Sequence, residues 1–234
     1  MKKFIAMLLV LVMAMSFAAC GASEPAFDPL QKAEGTMTYA EYAAAALESP
    51  VVVECFVQGN QSWWDNKITV YAQDPDGAYF LYEMACSEED AAKLVKGTKI
   101  KGTGYKAEWA GELEIIDSTF EILEGNWVAE AQDVTELLGS DELINHQHKF
   151  VSFKGLTVEN IEYKNGEPGD DIYVTFGYNG ASYDFCVERY LTGPETEVYA
   201  AVGALKAGDV VNVEGFLYWY NGANTHITSV TPAA

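Results

Sequence analysis

The chain has 234 residues, 14 of them basic and 35 acidic, for a formal charge of −21 at pH 7. A nucleic-acid binder needs clustered Lys and Arg to displace counterions from phosphates. No basic run here exceeds two residues, so charge sets nucleic acid aside as a partner and argues against electrostatic adhesion to an anionic membrane. With 49% hydrophobic and 13% aromatic residues the chain fills a sizeable core and does not read as disordered.

In chain order, Lys2 and Lys3 precede an apolar run from Phe4 to Phe17, and Ala18-Ala19 stand before Cys20. A basic n-region, a short h-region and a small-residue site make residues 1–19 an export signal, too short and wrongly flanked for a spanning helix. The ending resembles a bacterial lipoprotein signal. That implies lipidation of Cys20 and anchorage on the outer face of the cytoplasmic membrane, with attachment coming from lipid. Residues 20–36, with Pro25, Pro29 and no periodicity, read as a flexible tether.

Thr38-Tyr39-Ala40-Glu41 is a capping box and opens a helix toward Leu47. The β-branched run Val51 to Val57 predicts a buried strand. Lys67 to Ala72 and Ala78 to Met84 form a hairpin around Asp76-Gly77. Ser87 caps a helix expected to close at Gly97, and a second hairpin turns at Trp109-Ala110-Gly111. The same series then recurs: a helix over about 134–144, a strand over 149–155, a hairpin at Asn179-Gly180, a helix to Ala207, and a hairpin at Tyr220-Asn221-Gly222. A shift of 111 positions places Leu94, Gly97, Gly104, Gly111, Ile116 and Ser118 on Leu205, Gly208, Gly215, Gly222, Ile227 and Ser229. The chain is therefore a tandem duplication, with units over 37–125 and 133–234 joined by a linker over 126–132. Three strands, a helix and two strands is the order of a five-stranded Greek-key barrel. The expected fold is mainly β: two tandem OB-fold-like barrels, each preceded by a helix.

Gln61 to Lys67, Ala85 to Asp90 and Gly215 to Gly222 together resemble a group of uncharacterised bacterial lipoproteins with paired OB-like domains. The resemblance implies fold and location and brings no catalytic residues with it.

Loop aromatics are the candidate ligand face: Trp63 and Trp64 between the first two strands, Trp109 at the last hairpin, and Tyr218, Trp219 and Tyr220 at its counterpart in the second unit. Strand alternation puts Tyr218 and Tyr220 opposite Trp219, so part of this set belongs to the core. No nucleophile elbow, phosphate loop or zinc-protease motif is present. The expected function is a non-catalytic, lipid-anchored surface module for binding or assembly, taking a glycan, peptide or protein, without cofactor or metal. The alternative is a hydrolase or metal-dependent enzyme using clustered carboxylates with His146 and His148. Asp74-Pro75-Asp76-Gly77 and Glu167 to Asp171 read as turn chemistry, without the alternating spacing of a calcium loop. One disulfide, Cys55–Cys86 within the first unit, is open to an exported protein; the alternative is free thiols packed as small hydrophobes.

Overall fold

The computed structural model describes residues 27–233; residues 1–19, expected to be an export signal, and Cys20 lie outside the described residues. In the first unit, β1 (Pro50–Asn60), β2 (Lys67–Gln73), β3 (Ala78–Ala85), β4 (Thr98–Trp109) and β5 (Glu112–Asn126) close into a barrel. β1 pairs antiparallel with β4, and one parallel contact, Leu81 to Ile115, joins β3 to β5. The second unit opens with β6 (Gln132–Asp133), which adds along β7 (Phe150–Tyr163). β8 (Ile172–Tyr178), β9 (Ala181–Val187), β10 (Val210–Phe216) and β11 (His226–Pro232) follow in the equivalent order. Closure again comes from the first long strand, β7 with β10, and from a single parallel contact, Cys186 to His226. Ile115 and His226 are themselves related by the 111-residue shift. Two OB-fold barrels in tandem are what the repeated glycines led us to expect.

The shared glycines have a shared cause. Gly104 and Gly215 sit where the pairing register slips in β4–β5 and β10–β11. A Cβ at either would strike the carbonyl oxygen of the opposite strand, Ile116 in one barrel and His226 in the other. A bulge at which only glycine fits bends the strand so that the sheet closes.

Helices are shorter than expected. α1 (Tyr39–Ala44) keeps its capping box, with the Thr38 side chain accepting from the Glu41 amide, and buries Tyr42. Lys106 donates from Nζ to the carbonyls of Tyr42, Ala43 and Ala45 at 3.1, 2.7 and 2.9 Å, supplying the cation that a helix C-terminus favours. α2 (Glu88–Ala91) and α3 (Glu197–Gly203) occupy equivalent places after the third strand of each barrel. The helix expected over 134–144 is absent; two 3-10 turns, Thr135–Leu137 and Leu143–His146, stand there instead. Gly139 between them is left-handed at φ 82°, which ends any helical path.

The expectation of a free tether over 20–36 does not hold for residues 27–36. Phe27 packs edge-on against Phe56 at 5.8 Å, and Lys32 donates to Asp74 at 2.6 Å and to the Glu54 carbonyl at 2.7 Å. Asp74 is fully buried and also accepts from the Tyr79 hydroxyl and from the amides of Asp76 and Gly77. The Asp-Pro-Asp-Gly segment is thus turn chemistry with a buried ion pair added.

Each barrel has its own core, one around Val53, Val70 and Leu81, the other around Phe153, Val174 and Phe185. A third cluster, Tyr71 and Phe80 with Phe216, lies on the seam between the barrels. Tyr71 stacks on Phe216 at 4.5 Å and 14°.

Candidate functional site

The structure divides the six predicted aromatics among four environments. Trp63 is half-buried against the first core, its Nε1 donating to the Cys86 carbonyl at 2.9 Å. Tyr218 faces the seam and stacks on His226 at 4.3 Å. Trp109 is exposed on a turn whose Ala110 carbonyl accepts from the Asn221 amide at 2.8 Å. That contact sets it beside half-buried Trp219 and exposed Tyr220. The candidate ligand face therefore divides: Trp63 and Tyr218 serve packing, and the other four rings point into two separate places.

Trp64 occupies the fourth environment. Asp65 and Asn66 both adopt positive φ, 46° and 59°, which is a type I′ hairpin between β1 and β2. Trp64 and Lys67 close the turn by exchanging backbone hydrogen bonds of 3.0 and 2.9 Å. The indole stands 78% exposed at the lip of a groove of about 600 Å³. Ser62, Trp64, Lys67 and Tyr82 line it from the first barrel, Arg189 and Tyr190 from the second.

The seam itself holds this groove. Ser62 donates from its amide to the Tyr190 carbonyl at 2.7 Å, and its hydroxyl donates to the same oxygen at 3.2 Å. The loop carrying Tyr190 is pinned by Glu188, whose carboxylate accepts from the amides of Tyr190 and Leu191 at 3.1 and 2.9 Å. Arg189 lies over the Tyr190 ring at 5.0 Å, and Lys67 meets Glu83 at 2.7 Å. Burial, then the Glu83 carboxylate, pushes the Tyr82 hydroxyl up, so it is a neutral donor at physiological pH. Tyr82 and Tyr190 are exposed with Trp64, giving three rings around one opening. Sequence reasoning found Trp64 and missed Tyr82, Arg189 and Tyr190, because the last two come from the connection after β9 in the other barrel.

The histidines do not assemble a metal site: among the described residues no group of three or more His, Cys, Asp and Glu side chains is placed to hold an ion. His148 is 2% exposed and Glu112, 0% exposed, faces it across the seam at 3.4 Å. This acid and base are sealed from solvent; of the two histidines named for the hydrolase alternative, His148 is buried and His146 is half-buried. Cys55, Cys86 and Cys186 are free and buried, so the Cys55–Cys86 bridge does not form; burial raises all three thiols and leaves them inert.

The sequence matches no family model and no curated protein. Among solved structures it is similar to a murine DNA-binding protein bound with double-stranded DNA, at 13% identity and a TM-score of 0.37, covering 80% of this chain and 97% of that one. It is also similar to the p202 HIN1 domain in complex with a 12-mer double-stranded DNA, at 12% identity and a TM-score of 0.35, covering 88% and 99%. A third structure, described as structural mimicry for functional antagonism, matches at 12% identity and a TM-score of 0.36, covering 79% and 93%. The expectation of a glycan, peptide or protein module with no nucleic-acid partner rested on net charge and on a ligand face that the structure takes apart, so it is set aside.

Proposed function

We propose that the chain is a non-catalytic binding module whose seam groove takes a planar heteroaromatic ring carrying a phosphate, the chemistry of a nucleoside monophosphate. It would act lipid-anchored through Cys20 outside the cytoplasmic membrane, as in the lipoproteins its motifs resemble. The observation that carries the reading is Trp64, an indole 78% exposed on a tight turn, sharing one opening with Tyr82 and Tyr190. Rings held rigidly at the surface lose little entropy on stacking, and each stacked base is worth about 1–3 kcal/mol.

Charge supports the phosphate. Lys67, paired with Glu83 at 2.7 Å, and Arg189, 3.7 Å from Asp170, bring two basic side chains to the opening on a chain of net charge −21. The field of the whole molecule favours a short ligand over a long polyanion. The lining contains no histidine or cysteine, and the one close acid–histidine contact among the described residues, Glu112–His148, is buried elsewhere, which supports binding without chemistry.

Calorimetric titration of the full chain with nucleoside monophosphates, nucleosides and a short single-stranded oligonucleotide tests this. The monophosphate should bind, the nucleoside more weakly, and Trp64→Ala should lower affinity by about 5- to 150-fold, the equivalent of one lost stack. No binding of any nucleotide at millimolar concentration, or unchanged affinity in the variant, would overturn it.

A further inference from the structure

The seam between the barrels buries titratable groups that the groove does not use. Glu112 opens β5 of the first barrel, and His148 lies just before β7 of the second. Glu112 Oε1 and His148 Nδ1 are 3.4 Å apart, yet neither carboxylate oxygen and neither imidazole nitrogen has a hydrogen-bond partner. The His148 ring is clamped, stacking on Phe80 of the first barrel at 5.2 Å and 7°. Its backbone is left-handed at φ 65°, held there by its amide donating to the Leu217 carbonyl at 2.8 Å. Next to it, Gln147 reaches across to accept from the Leu113 amide at 2.8 Å. A short stretch of the second barrel is thus fastened over the start of β5.

The groups around the pair come from both barrels. Glu114 shares its strand, Tyr42 and Tyr71 belong to the first barrel, and Tyr218 and His226 to the second; Asp171 acts on His226 from further off. Tyr71 and His226 make a second link across the seam, with the hydroxyl 2.5 Å from Nδ1.

We propose that Glu112 and His148 form a proton-sensitive latch between the barrels, closed while the carboxyl keeps its proton and the imidazole stays neutral, and loosened when Glu112 ionises. A charged carboxylate there would lie buried beside Glu114 with the Tyr218 hydroxyl near it and no cation against it, and a buried charge without a counter-charge is strongly unfavourable. A protonated carboxyl instead has a donor to offer the imidazole nitrogen.

Burial drives the titration. It pushes Glu112 up to about 9 and Glu114 to about 7, and pulls His148 and His226 down to about 3. The closed seam holds the Glu112 proton more tightly than the opened one. Its advantage is therefore complete below about 4.5, the ordinary glutamate value, and is lost as pH rises toward about 9. The histidines act in the other sense: their contribution is complete above about 6.5 and is lost as pH falls toward about 3. The seam is tightest between about 4.5 and 6.5. Each proton shifts the closing equilibrium by up to about tenfold per pH unit inside its window.

Hydrogen exchange on the full chain, corrected for the intrinsic pH dependence of amide exchange, reads the latch directly. Between pH 5.5 and 8.5 protection over residues 110–116 and 146–151 should fall at least about tenfold, while residues 51–57 in the first core stay protected. Glu112→Gln, fixed in the neutral form, should remove the fall above about pH 7 and leave only the smaller one that Glu114 contributes below it. His148→Phe keeps the stack on Phe80 and should retain the alkaline fall while reducing the loosening below pH 5. A flat wild-type profile, or the same alkaline fall in Glu112→Gln, would overturn the proposal. Should Glu112→Gln not fold, the wild-type and His148→Phe profiles decide it: His148→Phe matching wild type on the acid side contradicts the latch.

Discussion

Replacing Lys32 by Met lowers stability by about 3 kcal/mol, near the lower end of the range for breaking a buried ion pair. Asp74 is fully buried, and its partner Lys32 Nζ, 9% exposed at the side chain, lies 2.6 Å away. Removing the ammonium strands a carboxylate in the first barrel with only the Tyr79 hydroxyl and two amides to satisfy it. Those three bonds are why the loss sits low in the range. Paired replacement, Lys32→Met with Asp74→Asn, removes both charges and costs less than the single change. Urea unfolding checks this: the midpoint of Lys32→Met drops with an unchanged slope, and the double variant lies between it and wild type. Because Lys32 precedes β1, the result also measures how firmly residues 27–36 are held.

Phe216→Ala costs about 3–5 kcal/mol, the loss expected when a buried aromatic ring leaves a cavity. Its ring stacks on Tyr71, packs against Phe150 at 5.6 Å, and fills the space above Gly59, where any Cβ would meet it. Tyr71 and Gly59 belong to the first barrel and Phe216 to the second, so the cavity opens at the seam and leaves both cores intact. Calorimetry should then resolve two transitions where the wild-type chain melts as one. A Phe153→Ala variant, cut into the second core alone, lowers the stability of that barrel without touching the seam.

Much of the fold was legible because it follows from local rules. Paired glycines marked the bulges, Asp-Gly and Asn-Gly marked hairpins, and Thr38 with Glu41 marked the first helix. The failures came where a distant partner decides. Lys32 looked like tether until Asp74, 42 residues away, claimed it. The recurring series placed a helix over 134–144, but Gly139 broke it into two 3-10 turns, their side chains serving the second core. Among the aromatics, adjacency misled: Trp63 and Trp64 are neighbours in sequence, yet one turns inward to Cys86 and the other stands over a groove completed by Tyr190. His148 drew notice as a metal ligand, while its partner Glu112 carried no signal at all among 35 acidic residues. A carboxylate's burial is a property of the assembled barrels.

The claim that the seam groove is the binding site is tested most directly by the five tryptophan indole N–H resonances, Trp63, Trp64, Trp109, Trp127 and Trp219, in a nitrogen-15 spectrum of the full chain. Titration with a nucleoside monophosphate should move the Trp64 signal progressively and leave the other four in place. Movement of Trp109 and Trp219 with Trp64 unmoved, or no movement at saturating ligand, would contradict it.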